Sequence, residues 1–213
     1  MALTEDIYDG LCREITTGKL KPGQRLSRRQ IAARYGASYT PVIEAMVRLE
    51  SLGLIEAESS QMARVRQISV ETIESDYVLR EAYETQAIRL ACQSATRQEI
   101  DELYRMAQEL DDQLAQGNTD REELALHGRF HKRIAELSRF RVLIDALERT
   151  ELLRLLQSNW IVVPDPEEPL RYHSLLVDAI KNGDPIAADA AMRVHVRSGR
   201  DRELAGYRMG VPS

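Results

Sequence analysis

Four histidines stand in the 213-residue chain, at positions 127, 131, 173 and 195, all of them in its C-terminal half. His127 and His131 are four residues apart, so on a helix they share one face, as the paired ligands of helix-borne zinc sites do. His173 and His195 fall in the last two segments that read as helices, from which they can converge on that face across a bundle core. Four neutral imidazoles, with a water or substrate oxygen, suit Zn²⁺, Ni²⁺ or a related first-row ion. Taken singly, each histidine reads better as a satisfied core or surface residue than as a ligand. All four on helices of one bundle make the metal the better reading. A metal-bound water would also permit hydrolysis. Against that, no glutamate lies between His127 and His131 in the HExxH manner.

A second chemical surface lies in residues 26–55, LSRRQIAARYGASYTPVIEAMVRLESLGLI. Ser27 is placed to cap a helix over 28–35, and Gly36 can end it in a left-handed conformation. Ser38 can cap a second helix entered through Thr40 and Pro41, the proline falling where a helix lacks an N–H partner anyway. Val42, Ala45, Met46 and Leu49 then recur at helical spacing, which leaves the opposite face free. Helix, glycine turn and helix match a DNA-reading helix-turn-helix or, equally on geometry alone, an ordinary antiparallel pair. Residues 54–58 and 63–68 alternate apolar and polar around Ser59, Ser60 and Gln61, as a two-stranded wing does. Arg64 and Arg66 fall on one face of its second strand.

The run from Ile7 to Glu58, and above all KLKPGQRLS, IAARYG, TPV and RLESLGLI, resembles the N-terminal winged helix of GntR-family transcription regulators over about residues 4–68. The resemblance implies DNA binding through the second helix. Arg29 matches an arginine of the family's first reading helix, but Tyr39 and Ile43 occupy positions where family members carry operator-contacting arginines. Two such donors are worth roughly 1–3 kcal/mol each, so an atypical operator preference follows. Ser38, Tyr39 and Ile43 are then DNA-binding candidates beside Arg29, with Arg28, Thr40, Arg48, Arg64 and Arg66 as compensating phosphate contacts. Residues 70–204, through LREAYETQAIRLA, HGRFHKRIAEL, YHSLLVDAIKNGDPIAADAAM and VHV, resemble the FadR C-terminal domain, a helical effector-binding bundle. That likeness implies a metal on His131, His173 and His195, with His127 where the family has an aspartate. It also implies a small carboxylate effector, with Arg80 on the domain's first helix assisting. The plain alternative for Arg80 is a helix pair with Glu84. Asn159 and Trp160 are weaker candidates for the same cavity.

The elements that must position these residues are mostly helical. Ile7, Leu11 and Ile15 define a first helix over 4–17. Beyond the wing, capping boxes at Thr96–Glu99 and Thr119–Glu122, breaks at Gly117 and 138–141, prolines 164, 166 and 169, and Asn182-Gly183-Asp184-Pro185 mark six helices, near 70–95, 97–116, 120–137, 141–160, 167–182 and 185–204. The expected fold is mainly α, a winged helix-turn-helix over 1–68, then an antiparallel bundle over 69–205 and a loose tail over 206–213. Residues 1–70 hold 10 Lys and Arg against 8 Asp and Glu, while the remainder holds 19 against 26. A mildly basic half beside an acidic one fits a regulator whose larger half has another task. Cys12 and Cys92 lack metal spacing and read as buried thiols. With no apolar run near ~20 residues and an acidic N-terminus, the protein is expected in the cytoplasm, without membrane contact. The combined expectation is a homodimer on a palindromic operator, controlled by ligand. The alternative is a degenerate regulator that binds ligand or partner without reading DNA sequence.

Overall fold

The structure, a computed structural model, describes residues 2–117, 121–157 and 171–210. The described residues divide into two compact units, 2–69 with 152–157, and 70–117 with 121–151 and 171–210.

The first unit contains α1 (Ala2–Thr16), β1 (Arg25–Ser27), α2 (Arg28–Tyr35), α3 (Tyr39–Ser51), β2 (Ile55–Ala57) and β3 (Met62–Val65). Ile7, Leu11 and Ile15 of α1 are buried in one cluster with Val42, Ala45, Met46 and Leu49 of α3. Each such side chain contributes about 1.5–3 kcal/mol when fully withdrawn from water, so this packing fixes which side of α3 faces outward. The Ser27 hydroxyl accepts from the Gln30 N–H, and Gly36 closes α2 at φ 58°. Ser38 occupies the cap position of α3 with extended backbone, but its side chain makes no capping bond. The wing is three-stranded where two strands were expected. β1 pairs antiparallel with β3, Arg25 opposite Arg64, and β2 pairs with the other edge of β3, Ile55 opposite Val65. A three-residue strand whose partner lies some forty positions away has no local periodicity to betray it.

The second unit contains α4 (Val70–Ser94), α5 (Arg97–Ala115), α6 (Arg121–Leu137), α7 (Arg141–Gln157), α8 (Tyr172–Lys181) and α9 (Pro185–Gly210). Long α4 packs against α9 and α6, while α5 packs against α8 and α6. Phe130, Ile88, Leu103, Leu110 and Ile134 are fully buried among them. Thr96 and Glu99 form the reciprocal capping box at the start of α5. Asp184 caps α9 by accepting from the amides of Ile186 and Ala187.

Two boundaries and the burial of the cysteines differ from expectation. α9 continues through Gly206 to Gly210, so the first part of the expected tail is helical; Leu204 and Gly206 are buried, and that packing outweighs the helix-weakening glycine. The last turns of α7 belong to the first unit, where Leu153 and Leu156 join the apolar cluster. Cys12 and Cys92 are free and only partly buried. Thr119 and the prolines at 164, 166 and 169 lie outside the described residues.

Candidate metal centre and nucleic-acid face

α6, α8 and α9 bring all four histidines into one place. One ligand atom from each of His127, His173 and His195 lies within 4.8 Å of the others. Nε2 of His131 stands 3.3 Å from Nε2 of His127 and 3.0 Å from Nε2 of His195. Nitrogens bound to one zinc at ~2.0–2.1 Å in a tetrahedral array are roughly 3.3 Å apart. The spacing therefore fits a single ion. His173 supplies a second test, since its buried Nε2 has no hydrogen-bond partner. Burial also holds the His173 and His195 rings below their usual pKa, an effect that Asp111 partly offsets at His173 and that neighbouring cations deepen at His195. Both rings are thus kept in the neutral form that a metal requires.

Two carboxylates from other helices hold this cluster, and neither is conspicuous in the sequence. Asp111 near the end of α5 accepts from the amide of His173 at 2.9 Å and from the amide and hydroxyl of Ser174 at 3.0 and 2.6 Å. It thereby supplies the cap that α8 lacks from its own Arg171. The same carboxylate lies 2.9 Å from Nδ1 of His173, which puts the ring proton on Nδ1 and leaves Nε2 bare toward the other imidazoles. Burial would push the Asp111 carboxyl up, but the bonds from His173 and Ser174 hold it below its usual range.

Glu84 of α4 is the second carboxylate. It accepts from Arg80 Nε at 2.8 Å, and its other oxygen stands 2.5 Å from Nδ1 of His131, off the hydrogen-bonding direction. Against burial, which would raise it, the charge of Arg80 with His131 beside it draws the Glu84 carboxyl down to about 2. Arg80 is buried one turn along α4, over the Tyr77 ring at 5.0 Å. Its pairing with Glu84 is internal, where the plain alternative was a pair on the helix surface. Asn159 and Trp160 lie outside the described residues.

On the first unit, the outward side of α3 carries Tyr39, Thr40, Ile43 and Val47, all exposed, and Arg29 stands exposed on α2. Ser38, whose side chain makes no capping bond, is exposed beside them. The remaining arginines are engaged within the unit. Arg28 donates to the Ser60 carbonyl in the wing. Arg64 pairs with Glu58, which also takes Arg25. Arg48 donates to Glu5 at 2.7 Å and lies over the Tyr8 ring. Arg66 follows β3 and is half-buried. Exposed pairs of this kind contribute little to stability, so a phosphate can displace them.

A winged helix-turn-helix in the same chain as a helical bundle with an internal polar centre is the build of a two-part DNA-binding regulator. The family comparisons agree. Residues 3–65 match the model of bacterial regulatory proteins of the gntR family, and residues 76–198 match the FCD domain. The chain belongs to the GntR family and carries an FCD ligand-binding domain. It is similar to the HTH-type transcriptional regulator YdhC of Bacillus subtilis (strain 168), 28% identical over 88% of this chain and 85% of that protein. It is also similar to the HTH-type transcriptional repressor RspR of Escherichia coli (strain K12), 26% identical over 92% of this chain and 86% of the relative. Among solved structures, E. coli McbR/YncC shares the fold with a TM-score of 0.76 at 23% identity, over 97% of this chain and 99% of the other. The protein is therefore a transcription regulator and not an enzyme. No helix among the described residues is long and apolar enough to cross a membrane.

Proposed function

We propose that the protein is a homodimeric regulator whose helical unit binds a divalent transition metal, Zn²⁺ or Ni²⁺, and with it a small carboxylate effector that sets affinity for a palindromic operator. The observation that carries this reading is the convergence of His127, His173 and His195, with His131 against two of them, around an unpartnered Nε2. The ion would be held by these imidazoles, and it would supply positive charge for an anionic ligand. Histidine at 127 adds no negative charge to the site, so the attraction for a carboxylate is stronger than with an aspartate there. Arg80, with its Nε on Glu84, offers its remaining guanidinium donors to the same ligand. Two-fold pairing of the winged helices would address two half-sites.

The effector acts only through its differential affinity for the two dimer states, typically a factor on the order of 5–150 in operator affinity. The test measures metal content of the purified protein and of His173→Ala, then operator affinity across a panel of small carboxylates. A stoichiometric first-row ion that is lost in the variant, and a carboxylate that shifts operator affinity, are expected. Metal-free protein that takes up neither zinc nor nickel would overturn the reading.

The exposed Tyr39 and Ile43, where the family's arginines are expected, favour a second reading. In it the protein binds its ligand or a partner but reads no DNA sequence. A selection from random duplexes distinguishes the two.

A further inference from the structure

The reading helix presents an apolar row to the outside. Tyr39, Ile43 and Val47 are 45%, 40% and 52% exposed and recur every fourth residue, so they form one stripe along α3. Their outward position is imposed from behind, because Val42, Ala45, Met46 and Leu49 are committed to the core. The acidic neighbour on this side is restrained, since Thr4 of α1 donates to Glu44 Oε2 at 3.0 Å. α3 is the second helix of a family-matched helix-turn-helix, the element that enters the major groove. Arg28 and Arg29 on α2, and Arg64 and Arg66 in and after β3, add positive charge to the same unit, which complements phosphates.

We propose that Ile43, with Tyr39 and Val47 beside it, reads thymine by its 5-methyl group, so that the operator carries T·A pairs where the family's arginine-bearing members would meet guanine. This rests on the DNA-binding reading. The chemistry of the groove makes the choice. Guanine presents two acceptors, N7 and O6, which an isoleucine leaves without donors, whereas thymine presents an apolar methyl that gains by burial against it. Adenine and cytosine present donors that the aliphatic Ile43 and Val47 cannot accept. Only the thymine edge has an apolar group that Ile43 can cover with profit.

The experiment uses the full-length protein. A random-duplex selection at moderate salt yields the preferred site, and each thymine in it is then replaced by deoxyuridine, which deletes the methyl and leaves every hydrogen-bonding group in place. At one or more positions per half-site, binding is expected to weaken about three- to fivefold, the worth of one buried methyl. In Ile43→Ala the thymine and deoxyuridine forms should bind alike at that position, and Ile43→Arg should turn its preference toward G·C. A selected operator that tolerates deoxyuridine everywhere would overturn the proposal while leaving DNA binding intact. Selection of no duplex would overturn both. In that case a change in oligomeric state on Ile43→Asp would assign the row to contact between copies of the chain.

Discussion

At the scale of single residues, the histidine centre depends on a carboxylate that binds no metal. Asp111 orients His173 and caps α8 at once. Its asparagine variant keeps a cap acceptor but can present an amide donor to the ring, so the tautomer with a bare Nε2 is no longer enforced. Asp111→Asn is expected to lower zinc affinity about 10–100-fold with only a small change in melting temperature, measured by competition with a chelator and by thermal melts. Equal losses in His173→Ala and in a remote surface variant would contradict it. Glu84 acts through charge. Removing it leaves Arg80 buried without its partner, so Glu84→Ala should cost about 3–5 kcal/mol in urea unfolding, whereas truncating the exposed Glu5 partner of Arg48 should cost under about 1 kcal/mol. The histidines were legible because their spacing and their confinement to one half of the chain are local facts. Asp111 was not, since it is one acidic residue among many on α5, and only the return of α8 gives it a task.

At the scale of elements, legibility followed the range of the interaction that makes each boundary. Ser27, Gly36, the Thr96–Glu99 box and Asp184 act within one turn, and each stands where the chain announces it. β1 depends on β3 across the wing, and the last turn of α9 on packing around Leu204 and Gly206, so neither could be read locally. Thr96 tests the local kind. Its hydroxyl accepts from the Glu99 amide, and the Glu99 carboxylate accepts from the Thr96 amide and also binds Arg139 in the turn after α6. Thr96→Ala is expected to cost about 1 kcal/mol, read from the urea midpoint with an unchanged m-value. A null effect would show that Arg139 alone holds the start of α5.

At the scale of the whole molecule, the buried histidines make stability depend on pH in a way that metal can mask. In the metal-free protein, His173 and His195 have pKa values below the ordinary 6.5. Between 6.5 and those lower values the unfolded chain binds protons that the folded chain refuses, so stability rises with pH there and is lost as pH falls. The carboxylates that also favour the folded state, Glu84 and Asp111, begin below their ordinary values of 4.5 and 3.8. The interval from pH 6.5 down to about 5 therefore isolates the imidazoles. Chelator-treated protein is expected to lose melting temperature steadily through that interval, and His195→Gln should flatten the loss even if its melting temperature is lower throughout. Zinc should raise the curve at neutral pH, since an ion that binds only the folded state stabilises it by mass action. It should do so less as the pH falls, because protons and metal compete for the same nitrogens. A metal-free melting temperature that stays flat from pH 6.5 to 5 would mean that His173 and His195 take up protons in the folded state as readily as in the unfolded chain. They would then repel one another instead of waiting, neutral, for an ion.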